Sequence, residues 1–490
     1  MRYLTYKLIN DLCNSIIEAI NYIKSNRNID IVIKLLQDCK QSINIIDGTL
    51  KTNISSIEDI NAFSIINSAI VETDELLQLI SLNMEINVDK LFNIITQISY
   101  ICRNQINIKL KVVFIAELGE KWDSMESVYW AFKKRKDCDV SVVIEPIYRA
   151  IKDKNGNIIS DTILKDFLTP LGIKHIPYNL YDFEKDKPDM TIISQPYESV
   201  TIKKFWPESI SNYSKIVYIP YTTTIANSES TRTANCKLPV YYYAWKIIAQ
   251  SQIIKDMHKK EAYHQGKNVI VTGLPKWDIV CNLDKSNINI SSEWTRKFKN
   301  KKVILLNTHY TSANEFQVYD DIINYFYNRT DVALLWRPHP MTNTMYKIYY
   351  PQLMKKWIEL NEKVENSENI IIDNNASYIE AFTISDAMIS HMSSMIPQYV
   401  LTKKPIFVFH PKKLLDVKSD WVIDYSEFDS STSLISDEWK DFVEKLGSKD
   451  DKLDIRLKSI KKDLAAADGH IGEKVCLILI NELKNEMNLS

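Results

Sequence analysis

The chain's 490 residues exceed what one hydrophobic core usually organises, so two or three domains are expected. Its 45% hydrophobic and 25% charged residues are typical of ordinary globular proteins. Lys and Arg (61) nearly equal Asp and Glu (62), and the net charge of -1 argues against a broad nucleic-acid-binding surface.

The first 108 residues predict a helical domain. Apolar residues recur there at helical spacing, and Leu8, Leu12, Ile16 and Ile20 form one such stripe. About four helices are expected. Nothing in this segment is typical of a catalytic site, so packing, recruitment of a partner or oligomerisation is its expected role.

From Lys111 onward the pattern changes to buried strands alternating with helices, which predicts parallel sheets. The first series of predicted strands covers residues 111–116, 140–145, 190–193, 215–219, 246–249 and 268–271. After a polar stretch, a second series covers residues 303–307, 332–336, 369–372, 387–390 and 406–409. Two such sheets joined near residue 285 indicate two Rossmann-like domains that face each other across a cleft.

Cysteine usage and the lack of long apolar runs predict a cytoplasmic protein. The seven cysteines form no C-x-x-C pair, and the N-terminus has no charged-then-apolar signal segment. No apolar run approaches the ~20 residues that cross a bilayer. Any membrane contact, for example at the inner face of the cell membrane, is therefore expected to be peripheral.

Glycine is scarce, with nine residues, and neither G-x-G-x-x-G nor a P-loop occurs. If a nucleotide diphosphate binds, helix N-termini, hydroxyls and Arg or His side chains must hold it instead.

Arg337 and His339 are the first candidates for that role. They lie in the segment Arg-Pro-His-Pro, directly after a predicted buried strand, where ligands bind in open α/β sheets. A guanidinium can clamp a phosphate, and an imidazole can donate a hydrogen bond to it. The alternative is a turn whose Arg pairs with a surface carboxylate. His309 ends another strand of the same series, so two histidines are expected at neighbouring strand ends.

Three further residues are candidates for phosphate contact. Ser393 and Ser394 lie between a predicted strand and a helix, where their hydroxyls and the helix amides could bind an anion, although most Ser caps only cap a helix. Lys276 follows a strand in the segment Gly-Leu-Pro-Lys-Trp-Asp, near the predicted hinge. A turn between domains is the alternative for Lys276.

Carboxylates in the first loop of the α/β region are candidate general bases. These are Glu117, Glu120 and Asp123, although such a residue is more often a solvated loop charge or a helix cap. No metal site is expected, because the sequence has no H-x-x-x-H, no H-E-x-x-H and no Asp-x-Asp dyad beside a strand end.

At these residues the chain resembles the CDP-glycerol glycerophosphotransferase family, which comprises teichoic-acid polymerases and primases with a GT-B catalytic part. The matching pieces agree in order and spacing within residues 111–411. They are residues 114–129, 219–221, 273–278, 308–309, 337–340, 377–382, 385–386 and 393–394.

The resemblance implies an α/β, GT-B-like fold for the two Rossmann-like domains, whereas the all-α first 108 residues lie outside the match. Together with the residue pattern, this gives four expected parts: a helical N-terminal domain (1–108), a Rossmann-like acceptor domain (109–284), a Rossmann-like nucleotide-donor domain (285–436) and a C-terminal helical segment that packs back on the body (437–490).

The resemblance also implies a reaction. Arg337, His339, Ser393 and Ser394 would hold a donor such as CDP-glycerol, which is a substrate, so no separate cofactor is expected. A hydroxyl of a glycan or lipid-linked acceptor would attack the β-phosphate and release CMP. Glycerol phosphate, or a related polyol phosphate, would thereby pass to a precursor of a cell-surface glycan or teichoic-acid-like polymer.

Two positions depart from the family pattern and leave alternatives open. The family's Trp-His-Gly-Thr-Pro-like segment corresponds here to residues 219–224, which contain no His, and His391 stands where an Asp is expected before the paired serines. His391 could change donor choice, as in a nucleotide-sugar-dependent GT-B glycosyltransferase. Loss of the usual base would fit a catalytically degenerate nucleotide-binding or interaction protein.

Overall fold

The computed structural model describes the chain up to residue 487 with several gaps. The gaps are residues 27, 54–59, 105, 107, 118, 153–157, 166–172, 226–227, 285, 287, 311–315, 376, 410–427, 432–436, 448–449, 451 and 464–466. The described part contains an N-terminal helical region followed by two parallel sheets, so the predicted fold class is confirmed. Among its helices, none is both long and apolar enough to cross a bilayer.

The N-terminal region is a bundle of four helices, as the apolar spacing predicts. They are α1 (Tyr3–Ser25), α2 (Ile29–Asn53), α3 (Ile60–Ser81) and α4 (Asp89–Asn104). Each helix contacts the next along the chain, and α1 also contacts α4. The predicted stripe of α1 was wrong at Leu8, which is 45% exposed, because the buried face runs through Ile9, Cys13, Ile16 and Ile20.

The first sheet follows the bundle directly. In the described residues up to 284, the strands are β1 (Leu110–Ala116), β2 (Cys138–Ile144), β3 (Ile147–Lys152), β4 (Ile158–Lys165), β5 (Ile176–Pro177), β6 (Met190–Ile193), β7 (Lys215–Tyr218), β8 (Ala244–Ala249) and β9 (Val269–Val271). Seven of them form a parallel sheet in the order β5-β2-β1-β6-β7-β8-β9. Neither β5 nor the antiparallel hairpin of β3 and β4 was predicted from the sequence.

Helices connect these strands. They are α5 (Gly119–Lys133), α6 (Phe183–Asp186), α7 (Pro207–Ser211), α8 (Glu229–Cys236), α9 (Pro239–Tyr243), α10 (Gln252–Glu261) and α11 (Trp277–Cys281). Helix α5 follows β1 and packs against β1 and β2. The loop between β1 and α5, which carries the candidate bases, therefore lies at the carboxyl edge of the sheet.

The second sheet has the order β12-β11-β10-β13-β14-β15 and is parallel throughout its described strands. These are β10 (Lys302–Thr308), β11 (Val332–Pro338), β12 (Ile370–Ile372), β13 (Ala387–His391), β14 (Ile406–Phe409) and β15 (Asp429–Ser431). The accompanying helices are α12 (Ser292–Lys297), α13 (Phe316–Tyr327), α14 (Thr342–Tyr349), α15 (Met354–Glu365), α16 (Ile379–Ile384) and α17 (Met395–Val400). Almost every side chain of β10, β11 and β13 is buried, which explains their continuous apolar runs.

The C-terminal segment contains α18 (Glu438–Glu444), α19 (Leu453–Asp463) and α20 (Ile471–Glu486). Helix α20 returns to the first sheet and packs on α5. The approach is close at Gly472, where an added Cβ would lie 2.5 Å from the backbone carbon of Ser127. The Asp278 carboxylate, in α11, accepts hydrogen bonds from the N–H groups of Ile471 (2.9 Å) and Gly472 (2.7 Å). Asp278 thus anchors the start of α20.

We expect Asp278→Ala to lower the free energy of unfolding by roughly 2 kcal/mol, because two buried N–H groups would lose a charged acceptor. Denaturant unfolding measures the effect. Glu473→Ala is the matched control, since Glu473 is an exposed acidic residue in the first turn of the same helix. An equal loss in both variants would show that the carboxylate of Asp278 does not anchor α20.

Candidate functional site

Two histidines and a tyrosine meet at the carboxyl edge of the second sheet. Strands β10 and β11 are adjacent and pair Thr308 with Pro338, so the residues that follow lie side by side. The ring centroids of His309 and His339 are 4.5 Å apart. Tyr310 lies 4.3 Å from His309 and 5.0 Å from His339, measured in the same way. The structure therefore brings the two predicted histidines together.

Both imidazoles of this pair are neutral at neutral pH. Burial, and the neighbouring His309, lower the pKa of His339 to about 4, and burial lowers the pKa of His309. The Nδ1 atom of His339 accepts a hydrogen bond from the Met341 N–H at 3.1 Å. In a neutral ring this leaves the proton on Nε2. His339 thus offers an uncharged N–H donor rather than a positive charge.

Arg337 is a buried cation with a buried counter-ion. Its guanidinium donates to the Asp373 carboxylate at 2.5 Å and to the carbonyl of Asn375 at 2.9 Å. Arg337 is 8% exposed and Asp373 only 2%. The carboxylate is therefore not a surface partner of the kind considered from the sequence. It follows β12, the strand beside β11, and holds the guanidinium at the sheet edge.

The paired serines and His391 have different surroundings. The Ser393 hydroxyl accepts a hydrogen bond from the Met395 N–H at 3.1 Å, at the start of α17, and the carbonyl of Ser394 accepts one from Gln398 at 3.2 Å. His391, the last residue of β13, is buried, and its Nε2 lies 2.9 Å from the Tyr319 hydroxyl. Burial, then His309, lower the pKa of His391 to about 4.

Asp123 and Lys276 lie together where the two sheets' domains meet. The Lys276 ammonium is 3.4 Å from the Asp123 carboxylate and donates to the carbonyl of Tyr221 at 2.8 Å. From the second domain, the Tyr378 hydroxyl donates to Asp123 at 2.9 Å. The contact of Tyr378 with Asp123 was not predicted from the sequence, because a partner 255 positions away leaves no local signal. The contact fixes Asp123 between the two domains.

Glu117 lies at the end of β1 in a polar cluster. Its carboxylate accepts hydrogen bonds from Lys121 (2.5 Å), Gln195 (2.7 Å) and Thr201 (3.5 Å). Glu145 follows β2, the neighbouring strand, and is also buried. Glu145 was not predicted as a site residue, although a Glu directly after each of two adjacent strands was a usable signal. The side chain of Glu120 lies outside the described residues.

Tyr221 connects this cluster to the second domain. The Lys121 ammonium lies 4.6 Å from the centre of the Tyr221 ring. Burial raises the pKa of Tyr221, and the nearby groups of Tyr197, Glu117 and Tyr310 raise it further. Tyr221 therefore interacts electrostatically both with Glu117 and with Tyr310, whose ring lies beside the two histidines. The two carboxyl edges face each other here.

Residues 220–478 match the family described as CDP-glycerol:poly(glycerophosphate) glycerophosphotransferase, which is more than half of the chain. The chain belongs to this family. The resemblance predicted from the sequence is thus confirmed, and membership of this glycerophosphotransferase family makes the protein a transferase by class.

The chain is similar in fold to two solved structures with TM-scores of 0.50 or higher. A putative UDP-N-acetylglucosamine 2-epimerase from Listeria monocytogenes is 11% identical with a TM-score of 0.51, over 77% of this chain and 97% of the epimerase. The S. aureus MnaA-UDP co-structure is 15% identical with a TM-score of 0.50, over 78% and 98%. The wall teichoic acid polymerase TagF is 13% identical with a TM-score of 0.48, over 86% and 98%. No curated protein matches the chain.

The family match covers the candidate residues unevenly. Lys276 and all candidates of the second sheet lie inside residues 220–478, whereas Glu117, Asp123 and Glu145 precede them. The edge with the two histidines therefore lies within the part of the chain that matches the family. The carboxylate-bearing edge of the first sheet lies outside the matched region.

Proposed function

We propose that the protein transfers glycerol phosphate, or a related polyol phosphate, from a CDP-activated donor to a hydroxyl of a cell-surface glycan or teichoic-acid-like precursor. The observation that carries this proposal is the family match, because it includes the whole edge formed by His309, Arg337 and His339.

On the donor side, the diphosphate would lie against the carboxyl edge of β10 and β11. The Nε2–H of His339 and the imidazole of His309 would donate hydrogen bonds, and the positive charge of Arg337 would stabilise the phosphate oxygens. Because Asp373 holds the guanidinium in one orientation, little rearrangement is needed as charge develops. Ser393 and Ser394 would extend the phosphate contacts at the start of α17.

The proposed reaction is a displacement at the β-phosphorus. The acceptor oxygen forms a bond to that phosphorus, the bond to the oxygen bridging the two phosphates breaks, and CMP leaves. Departure of CMP places negative charge on the α-phosphate oxygen beside the histidines. The hydroxyl proton passes to a base on the opposite edge of the cleft.

Glu117 is the proposed base, in preference to Asp123. It lies within electrostatic reach of Tyr221, in the segment 219–224 that lacks the family's His. One oxygen of Asp123 already accepts from Tyr378 and contacts Lys276, so that carboxylate is engaged in joining the domains. Glu117→Gln should therefore reduce turnover more than Asp123→Asn.

A donor panel tests the proposal. CDP-glycerol, CDP-ribitol, UDP-sugars and CMP-sugars are compared by thermal shift, and a donor at 100 times its Kd should stabilise the fold by about 2.7 kcal/mol. CMP release from CDP-glycerol is then measured with and without glycan and lipid-linked acceptors. We expect CDP-polyols to stabilise the protein and acceptors to accelerate CMP release.

Other outcomes would overturn the proposal in distinct ways. Transfer of a sugar with release of UDP or CMP would identify a nucleotide-sugar-dependent glycosyltransferase. Donor binding without CMP release on every acceptor would identify a nucleotide-binding interaction protein.

A further inference from the structure

Two buried carboxyl groups lie side by side at the carboxyl edge of the first sheet. Strands β1 and β2 pair Ala116 with Ile144, so Glu117 and Glu145 each follow the last paired residue. The Glu145 N–H donates to the carbonyl of Ala116 at 2.9 Å, which continues the ladder up to the pair. Glu117 is 4% exposed and Glu145 2%. The backbone register thus brings two carboxyl groups into one buried region.

The hydrogen bonds of this pair are unequally shared. Glu117 has Lys121, Gln195 and Thr201 as donors, with its closest contact at 2.5 Å from Lys121. By contrast, the Oε2 atom of Glu145 is buried and has no hydrogen-bond partner among the described residues. A buried polar atom without a hydrogen-bond partner destabilises the folded state and is uncommon in native proteins.

The surroundings of the pair disfavour a second negative charge. Lys121 forms an ion pair with Glu117. Lys204 also favours the charged form of Glu145, but more weakly than Lys121 does. Burial, then the charge of Glu117, raise the pKa of Glu145 well above its ordinary value, against the opposing effects of Lys121, the Ile202 backbone and Lys204. A second negative charge here would be desolvated and opposed by Glu117. Burial and the neighbouring Glu117 therefore favour the protonated form of Glu145.

We propose that Glu145 is a positioning residue of the acceptor site, which acts by holding a proton beside Glu117. The inference rests on the proposed function, in which an acceptor hydroxyl attacks the donor's β-phosphate. Glu117 takes the hydroxyl proton as the oxygen–phosphorus bond forms and the bond to CMP breaks. With Glu145 neutral, the pair carries one negative charge matched by Lys121. The cleft then does not repel the donor's diphosphate, and Glu117 keeps its orientation.

The experiment compares pH profiles of kcat, measured as CMP release from CDP-glycerol, in the wild-type protein and Glu145→Gln. In the wild type, the neutral form of Glu145 is present below its raised pKa, so kcat should fall as pH rises through that pKa. Glutamine has the same size and cannot ionise, so Glu145→Gln should keep kcat within about threefold at pH 7 and lose the alkaline decline. Glu145→Ala should lower kcat about tenfold with less than a twofold change in the donor KM.

The control variant is Glu72→Gln. Glu72 is a buried glutamate of the N-terminal bundle, paired with Lys90 and remote from the cleft in sequence and fold. Its pH profile should match the wild type. If Glu145→Ala does not fold, the Gln variant still decides the question.

Two negative outcomes are separable. Wild-type turnover together with an unchanged alkaline decline in Glu145→Gln would overturn the inference alone. Absence of wild-type turnover with every donor and acceptor would overturn the proposed function, and the inference with it.

Discussion

His339→Ala is expected to lower kcat/KM for the donor at least 100-fold, or about 2.7 kcal/mol, which is the usual cost of removing one hydrogen-bond donor aimed at developing charge. The imidazole stands at the end of β11, beside His309, and would contact the phosphate that becomes the leaving group. Its loss should also remove most of the thermal stabilisation by CDP-glycerol. Initial rates and thermal shifts on one preparation measure both effects.

The pH dependence of this variant series follows from the neutral state of His339. Protonation of Nδ1 would break the hydrogen bond from Met341, so the neutral ring is the competent form. Because burial and His309 lower the pKa of His339 to about 4, the neutral form persists down to that pH and is lost below it. The acid limb of kcat/KM is therefore expected near pH 4. If the protonated imidazole were the competent form instead, activity would fall as pH rises through the ordinary histidine pKa of about 6.5.

Two companion variants sharpen the result. His339→Gln retains an N–H donor at a similar reach and should keep more activity than His339→Ala. His470→Ala replaces an exposed histidine at the start of α20 and should match the wild type. Equal activity of His339→Ala and the wild type would remove His339 from the donor site.

The strand series could be predicted from the sequence because each strand is buried on both faces. Strands such as β10 and β11 consequently appear as unbroken apolar runs, and parallel strands that alternate with helices have one edge for ligands. The adjacency of His309 and His339 follows from that rule together with the pairing of β10 and β11. The bundle could be predicted as helices, but the face of α1 that contains Leu8 could not, because neighbouring stripes differ by one residue.

The missed elements lack such a pattern. The β3–β4 hairpin mixes charged and apolar residues, and the edge strands β5 and β15 have two and three residues. Strands that short carry too little periodicity to separate from loops. Their position depends on the strands beside them.

The missed site residues depend on partners distant in the chain. Asp373 is 36 positions from Arg337, and Tyr378 is 255 positions from Asp123. A sequence indicates that a cation or carboxylate is present, but not which oppositely charged or hydroxyl group the fold will bring to it. Glu145 is only partly predictable from the sequence. It becomes a neighbour of Glu117 once β1 and β2 are known to pair.

Asp373→Ala is expected to lower the free energy of unfolding by about 3–5 kcal/mol, because it leaves the Arg337 guanidinium buried without its counter-ion. The pair is well shielded from solvent, with Arg337 8% and Asp373 2% exposed. Asp331→Ala is the matched control. It removes the partner of Arg329 at the start of β11, but that carboxylate is 60% exposed, so its loss should cost less than about 1 kcal/mol.

A double variant separates the structural role of this ion pair from its role in donor binding. Replacing both partners by apolar residues, as in Arg337→Met with Asp373→Leu, removes the unpaired charge, and such replacements are often neutral or stabilising. Most of the stability lost in Asp373→Ala should therefore return, whereas CMP release should stay at least 100-fold below wild type because the phosphate has lost a cation. A double variant that regained stability and full turnover would show that Arg337 serves the fold alone. A double variant as unstable as Asp373→Ala would show that the loss of stability arises from lost packing at the end of β12 rather than from an unpaired buried charge.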